Sequence, residues 1–274
     1  MHRILHRTAS VIGRDSRLVK GLRIAYESFE GWAAHGRGVS FRINGLEFRR
    51  HPHCRDRFPR DLVYEPKVAA FLENRIKPGH VCLDVGANVG YYVLQLAHWT
   101  GPVGHVVAFE PNPGPRGVLE NLITLNGIDS LVSVIPAAVG AVTGRQVLYI
   151  PPDGTRGLDG LSRLGSPAKE LGPRTSAVYV RVTTLDDYCE NFDIIPDWIL
   201  IDVEGFEFAA LCGARKLIAR RRLALGLVVE MHPDLWPPSL CPSLVLKHLR
   251  LRPIPLTGQM DPLAERGVVC LEPD

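Results

Sequence analysis

Asp202, Glu204 and Glu207 fall within six positions of one another in "ILIDVEGFE", where an apolar run suited to a buried strand gives way to a helical pattern. Carboxylates gathered this closely repel one another unless they hold protons or face a cation. The segment therefore has the chemistry of general acid–base work or of binding a positive ligand. Helix capping is the plainer reading, because acids are favoured in a first helical turn, and it suits Glu207 better than Asp202. "ALGLVVEMHP" repeats the arrangement, with Glu230 and His232 closing another apolar run. A histidine before proline is also an ordinary turn residue, but Asp202, Glu204 and His232 are the candidates for a catalytic base.

A second constellation lies upstream. In "VCLDVGANVGYYVLQLA", residues 81 to 97, an apolar run carries Asp84 into Gly86-Ala87-Asn88-Val89-Gly90 and then a helical pattern. Gly86 permits a tight turn, Gly90 a close approach, and the opening helix leaves free N–H groups there. This is the outline of a nucleotide pocket. The dinucleotide fingerprint G-x-G-x-x-G requires a second glycine against the diphosphate, and Asn88 occupies that place. The carboxylate of Asp84 would repel a diphosphate and favour a cationic or amine-bearing nucleoside. Glu110, 20 residues past Gly90 in "HVVAFEPN", stands where an acid reaches two ribose hydroxyls.

These groups need a scaffold that brings strand ends together. Strand-like runs at 80–84, 105–110, 131–136, 145–150, 178–182, 197–202, 224–230 and 267–271 alternate with helical patterns near 64–76, 88–98, 113–126, 185–191, 205–219 and 240–249. Such alternation predicts an α/β fold, a parallel sheet covered on both faces with its ligand beyond the carboxyl ends of the strands. Thr184 and Asp187 have the spacing of a capping box for the 185–191 helix. Residues 39–50 read as a hairpin turning at Asn44-Gly45, and residues 1–36 as weakly helical. We expect an amino-terminal cap over 1–60 and one larger domain over 61–274. The Gly-, Pro- and Ser-rich stretch 151–177 reads as a lid or a disordered loop.

The chain has 274 residues, 46% of them hydrophobic, which suits a packed globule. No apolar run approaches the roughly 18 residues of a membrane span, and the amino terminus lacks the apolar core of a secretory signal. Six scattered cysteines form no C-x-x-C pair, which argues for reduced thiols, a cytoplasmic protein and no zinc site. The net charge of +3 conceals 13 lysines and arginines against 5 acids in the first 60 residues, so the larger portion is acidic. A basic cap without interleaved aromatics and an acidic remainder argue against a nucleic-acid substrate.

Taken in order, "LDVGANVGYY", "VVAFEPNP", "VIPAAVG", "VTTLDDY", "IDVEGFE" and "LVVEMHP" resemble the FkbM family of S-adenosylmethionine-dependent methyltransferases over roughly residues 60–272. The resemblance implies a Rossmann-like class I methyltransferase with a seven-stranded, mostly parallel sheet and one antiparallel strand, for which 265–273 is suited. It implies methyl transfer to a hydroxyl of a sugar, glycan or natural product. By position, Asp84, Gly86, Asn88 and Gly90 would line the methionine end of the cofactor, Glu110 its ribose, and Ala137 and Ala138 its adenine. Ala87 and Asn112 belong to the same motifs and are grouped with the cofactor-binding residues. Ile201 stands where the family usually carries a lysine. The rival readings are a nicotinamide-dependent oxidoreductase and a cofactor-binding module without turnover. No metal is expected, although Asp202, Glu204 and Glu230 offer the hard oxygens a divalent cation prefers.

Overall fold

The computed structural model describes residues 37–151, 163–165, 175–221 and 223–274. The helical reading of 1–36 and most of the long 151–177 stretch lie outside the described residues. The chain divides into two compact units, Met1–Tyr64 with Thr124–Gly127, and Glu65–Ile123 with Ile128–Asp274.

In the first unit β1 (Val39–Ile43) and β2 (Leu46–Arg50) pair antiparallel. The hairpin turns on Asn44 and Gly45 at φ 49° and 90°, the double left-handed geometry for which Asn-Gly is favoured. A short β3 (Asp61–Leu62) joins β1 in parallel. The Asn44 amide donates to the Tyr64 carbonyl and accepts from its N–H, at 2.7 and 3.0 Å. Phe41 and Phe58 meet edge-on at 5.1 Å and are fully buried.

The second unit runs α1 (Pro66–Glu73), β4 (Val81–Val85), α2 (Tyr91–Thr100), β5 (His105–Phe109), α3 (Pro113–Asn126), β6 (Val132–Ile135), β7 (Ala137–Val139), β8 (Gly144–Ile150), β9 (Arg163–Leu164) and β10 (Ser176–Thr183). It continues through α4 (Leu185–Asn191), β11 (Trp198–Ile201), α5 (Glu207–Cys212), α6 (Arg215–Arg221), β12 (Gly226–Met231), α7 (Pro242–Leu249), β13 (Leu251–Pro255) and β14 (Gly267–Pro273). Seven strands form one sheet in the order β13-β14-β12-β11-β4-β5-β6. β14 runs antiparallel to β12 and β13, and the pairs from β12 to β6 are parallel. The order reverses between β4 and β11, so the loops leaving those two strands mark the switch point at the carboxyl edge, where sheets of this kind bind their ligands.

Alternation along the strands gives each face its own core. Leu83, Val85, Val107, Phe109, Ile199, Ile201 and Val229 pack in one cluster with Leu185, Phe208, Leu211, Ile218 and Leu246 of α4 to α7. The intervening Cys82, Val106, Ala108 and Leu200 are buried as well, and α2 contacts β4 and β5. Strands hidden on both faces read as near-continuous apolar runs.

The structure departs from the sequence expectations in three places. The runs at 145–150 and 178–182 do not join the parallel sheet; they are β8 and β10 of a separate four-stranded sheet ordered β7-β10-β8-β9. β10 alternates buried and more exposed positions along its length, as a ribbon with one solvated face does. The 205–219 helical pattern is two helices, α5 and α6, parted at Gly213. β13 was not foreseen, because "LRPIP" carries two prolines; it forms the sheet's outer edge, where a missing N–H breaks no ladder. Thr184 caps α4 as expected, its Oγ1 accepting from the Asp187 N–H at 2.9 Å. All six cysteines carry free thiols. Among the described residues no helix is long and apolar enough to cross a membrane.

Gly226 begins β12 directly opposite Trp198, and a Cβ there would lie 2.2 to 2.5 Å from the indole. Trp198 is itself held edge-on against Phe71 at 6.2 Å. Gly226→Ala is therefore expected to cost about 1–3 kcal/mol, read as a lowered Tm with an unchanged circular dichroism spectrum. A Tm equal to the wild type would show the indole free to move.

Candidate active site

The loop leaving β4 is held from behind by the end of β5. The N–H groups of Gly86 and Ala87 both donate to the Phe109 carbonyl at 3.0 Å. The Glu110 carboxylate then accepts from the Asn88 N–H through Oε2 at 2.8 Å and from the Asn112 N–H through Oε1 at 2.7 Å. Asn112 in turn accepts from the Gly114 N–H at 3.0 Å, fastening the start of α3. Gly86, Asn88 and Gly90 all have positive φ, at 91°, 49° and 96°.

The two glycines do different work from one another. A Cβ on Gly86 would lie 1.8 Å from the Asp202 carbonyl oxygen, so only glycine lets this loop lie against the backbone that follows β11. At Gly90 the close neighbour is Leu119 of α3, 2.6 Å from such a Cβ; this approach serves helix packing.

Asp84 is 5% exposed, and its Oδ2 is sealed without a hydrogen-bond partner. Burial, and then the negative charge of Glu110, push Asp84 up to about 7. Burial also raises Glu110 to about 7, against the pull of the Asn112 and Asn88 N–H groups and of Arg116. Asn88 Oδ1 is a further sealed acceptor with no partner.

The acids after β11 and at the end of β12 gather around one histidine. His232 is 1% exposed, and its Nδ1–H donates to Glu207 Oε1 at 2.8 Å. Its Nε2 faces Glu230 Oε1, Glu204 Oε2 and Asp202 Oδ1 at 3.5, 3.6 and 3.9 Å. Burial alone would lower the imidazole, but the bonds and charges of Glu207, Glu230 and Glu204 outweigh it and lift His232 to about 11. Desolvation, with the charge of Glu230, raises Asp202 well above the usual carboxylate range. Burial likewise raises Glu204. Glu230 feels the same burial, yet contact with His232 holds it below its ordinary value.

Glu207 is the fixed point of this cluster. It has no exposed surface and takes three donors: His232, the Gly205 N–H at 2.7 Å and the Trp236 indole N–H at 2.7 Å. It heads α5, so capping describes it only in part: the same carboxylate orients His232. Trp236 meets Phe208 edge-on at 5.0 Å.

The structure thus places Asp202, Glu204 and His232 together, and Asp84, Gly86, Ala87, Asn88, Gly90, Glu110 and Asn112 together. Ala137 and Ala138 are buried in β7, and Ala138 packs with Leu148, Val180 and Val182 in the small sheet, so its methyl serves packing. Sequence reasoning missed Glu65, which accepts from Tyr92 Oη at 2.6 Å. Burial raises its carboxyl, followed by the charge of Glu230. Its φ of 41°, just before a proline that disfavours helical geometry in its neighbour, is a strain that only coordinates reveal.

A family model described as Methyltransferase FkbM domain matches residues 84–254. No curated protein matches the chain. Among solved structures, a Methyltransferase FkbM from Methylobacillus flagellatus KT is 20% identical with a TM-score of 0.46. That alignment covers 72% of this chain and 44% of the other, so the chain spans less than half of that relative. An O-methyltransferase from Bacillus cereus in complex with SAH is 14% identical over 76% of this chain and 81% of its own, at TM-score 0.44. An rRNA methylase from Streptococcus thermophilus is 11% identical over 75% and 93%, at TM-score 0.43.

Asp84 and Glu110 hold their protons more tightly folded than unfolded, at about 7 against 3.8 and 4.5. Their contribution to stability is whole below about pH 4 and is lost as pH rises through about 7. Asp84→Asn is expected to melt with the wild type at pH 4 and several degrees above it at pH 8; identical pH dependence in the two proteins would refute the buried charge. Gly86→Ala should lower Tm and disturb Asp202, a change readable by nuclear magnetic resonance.

Proposed function

The chain belongs to the FkbM methyltransferase family, and on that premise we propose that it transfers a methyl group from S-adenosylmethionine to a hydroxyl of a sugar, glycan or natural-product acceptor. The observation that carries the cofactor assignment is the sealed, partnerless Asp84 Oδ2 at the switch point, beside Glu110 and the equally partnerless Asn88 Oδ1. Among the described residues, the Asp84 and Asn88 oxygens lack donors and Asp84 lacks a positive charge acting on it. The ammonium and sulfonium of S-adenosylmethionine bring both, whereas a nicotinamide dinucleotide would add a diphosphate to carboxyls already resisting ionisation.

When bound, S-adenosylmethionine supplies a methyl group on a positively charged sulfur. Asp84, Gly86, Ala87, Asn88 and Gly90 would hold its methionine end, Glu110 with Asn112 its ribose, and Ala137 with the backbone of Ala138 its adenine. The remaining work is to align an acceptor and take its proton. Alignment can supply about 7–11 kcal/mol and a positioned base roughly 10²- to 10⁴-fold in rate, so placement is the larger effect.

Of the three base candidates, Asp202 fits best, with Glu204 next. Burial and the charge of Glu230 raise its carboxyl above the usual range, which makes it the stronger proton acceptor, and its side chain is 44% exposed, within reach of an acceptor. His232, lifted to about 11 and enclosed by carboxylates, would keep its proton at neutral pH and act by orienting the acids. Six free thiols suit a reducing compartment.

Calorimetry should show S-adenosylhomocysteine binding and NAD not; the reverse would overturn the assignment. Labelled-methyl transfer into a panel of hydroxylated acceptors is the direct test, and cofactor binding without transfer to any of them would favour the module without turnover. Asp202→Asn should lower kcat by roughly 10²- to 10⁴-fold while S-adenosylhomocysteine affinity changes little. Unaltered kcat would remove Asp202 as the base.

A further inference from the structure

Too many acids surround His232 for the cations the cluster contains. Glu65, Asp202, Glu204, Glu207 and Glu230 act on one another there, and among the described residues the positive groups facing them are His232 and Arg266. Arg266 is already engaged by both oxygens of Asp234, at 2.6 and 2.8 Å.

The spacing is informative. A strong N–H···O bond spans about 2.7–3.2 Å, and the three carboxylates facing His232 Nε2 stand beyond it, at 3.5, 3.6 and 3.9 Å. Donors held about 2.1 Å from a shared ion sit roughly 3.0–3.4 Å apart, so His232 Nε2, at 3.6 Å from Glu204 and 3.9 Å from Asp202, would draw in by a few tenths of an ångström on binding one. One ligand atom from each of Asp202, Glu204 and His232 lies within 4.8 Å of the others.

Two further features point inward to a ligand. Asp202 Oδ1 and Glu204 Oε2 are sealed from solvent with no hydrogen-bond partner, although buried polar atoms ordinarily have one. The buried His232 has its Nδ1–H fixed on Glu207, which Trp236 and Gly205 fix in turn. Such a carboxylate behind a histidine is what sets the ring for coordination through its other nitrogen.

We propose that Asp202 Oδ1, Glu204 Oε2 and His232 Nε2 form a three-ligand site for one divalent cation, of the Mn²⁺ type that accepts mixed carboxylate and imidazole donors. Glu230 flanks the site, and the exposed side of Asp202 leaves it open to a bound molecule. The cation takes the place of the proton on Nε2. Its presence does not depend on which acceptor is methylated, or on whether one is.

The test uses the full chain, chelator-treated and free of cofactor, titrated with Mn²⁺ and followed by electron paramagnetic resonance of the free ion. One ion per chain is expected, with affinity at least about tenfold weaker in Glu204→Gln and in Asp202→Asn. Glu272→Gln, in an exposed pair with Arg252, should bind as the wild type does. Circular dichroism establishes that each variant is folded. No stoichiometric binding of Mn²⁺, Mg²⁺ or Zn²⁺ at millimolar ion, or binding that neither variant weakens, overturns the site. Methyl transfer by a protein that binds none of these ions would sink the site and leave the proposed function standing. Variant-sensitive ion binding without any transfer would do the opposite.

Discussion

Carboxyl groups that repel one another are concentrated at one edge of a sheet whose pairing forbids them to separate. Asp84 lies near the end of β4, Glu110 follows β5, Asp202 and Glu204 follow β11, and Glu230 lies in β12. Parallel register aligns these strands, with Asp84 facing Leu200 on one side and Ala108 on the other. Crowding and burial raise several of these carboxyls, and His232 stands among the second group. The proposed function rests on the preference for positive ligands that such a field implies.

The two acid groups are mechanically joined. Gly86 of the loop after β4 lies against the carbonyl of Asp202 so closely that no side chain fits between them, and the Asp202 N–H donates to the Val85 carbonyl at 2.9 Å. A shift of the first loop is therefore felt at the residue proposed to take the acceptor's proton. Glu207 gives the second group its own anchor, since its three donors come from a turn, a histidine and a tryptophan in different segments.

Much of this was legible in the residues because it is local. An apolar run ending in an acid and a glycine marks a strand, a turn and a helix start within a dozen positions, and the runs leaving β4 and β11 have that form. Asn44-Gly45 and the Thr184 cap were readable for the same reason. Long-range choices were not. Nothing in "GRQVLYI" or "SAVYVRVT" states that these strands leave the main sheet to pair with each other, and the prolines of "LRPIP" argue against the edge strand they form. Glu65 lies 137 positions before Asp202 in the chain, and only folding brings its charge to bear on that residue. Glu207 could be seen as an acid at a helix start, but its grip on His232 and Trp236 required coordinates.

The antiparallel β14 has a consequence for biogenesis. β12, which carries Glu230, is flanked by β11 and by β14, and the latter is encoded more than thirty residues further along the chain. As the polypeptide leaves the ribosome, one margin of β12 therefore has no hydrogen-bonding neighbour for an interval, presenting bare amides beside an apolar core. Pairings between segments so distant in sequence form slowly and are open to mispairing meanwhile. During synthesis, this interval is when a nascent-chain chaperone would have the most to shield.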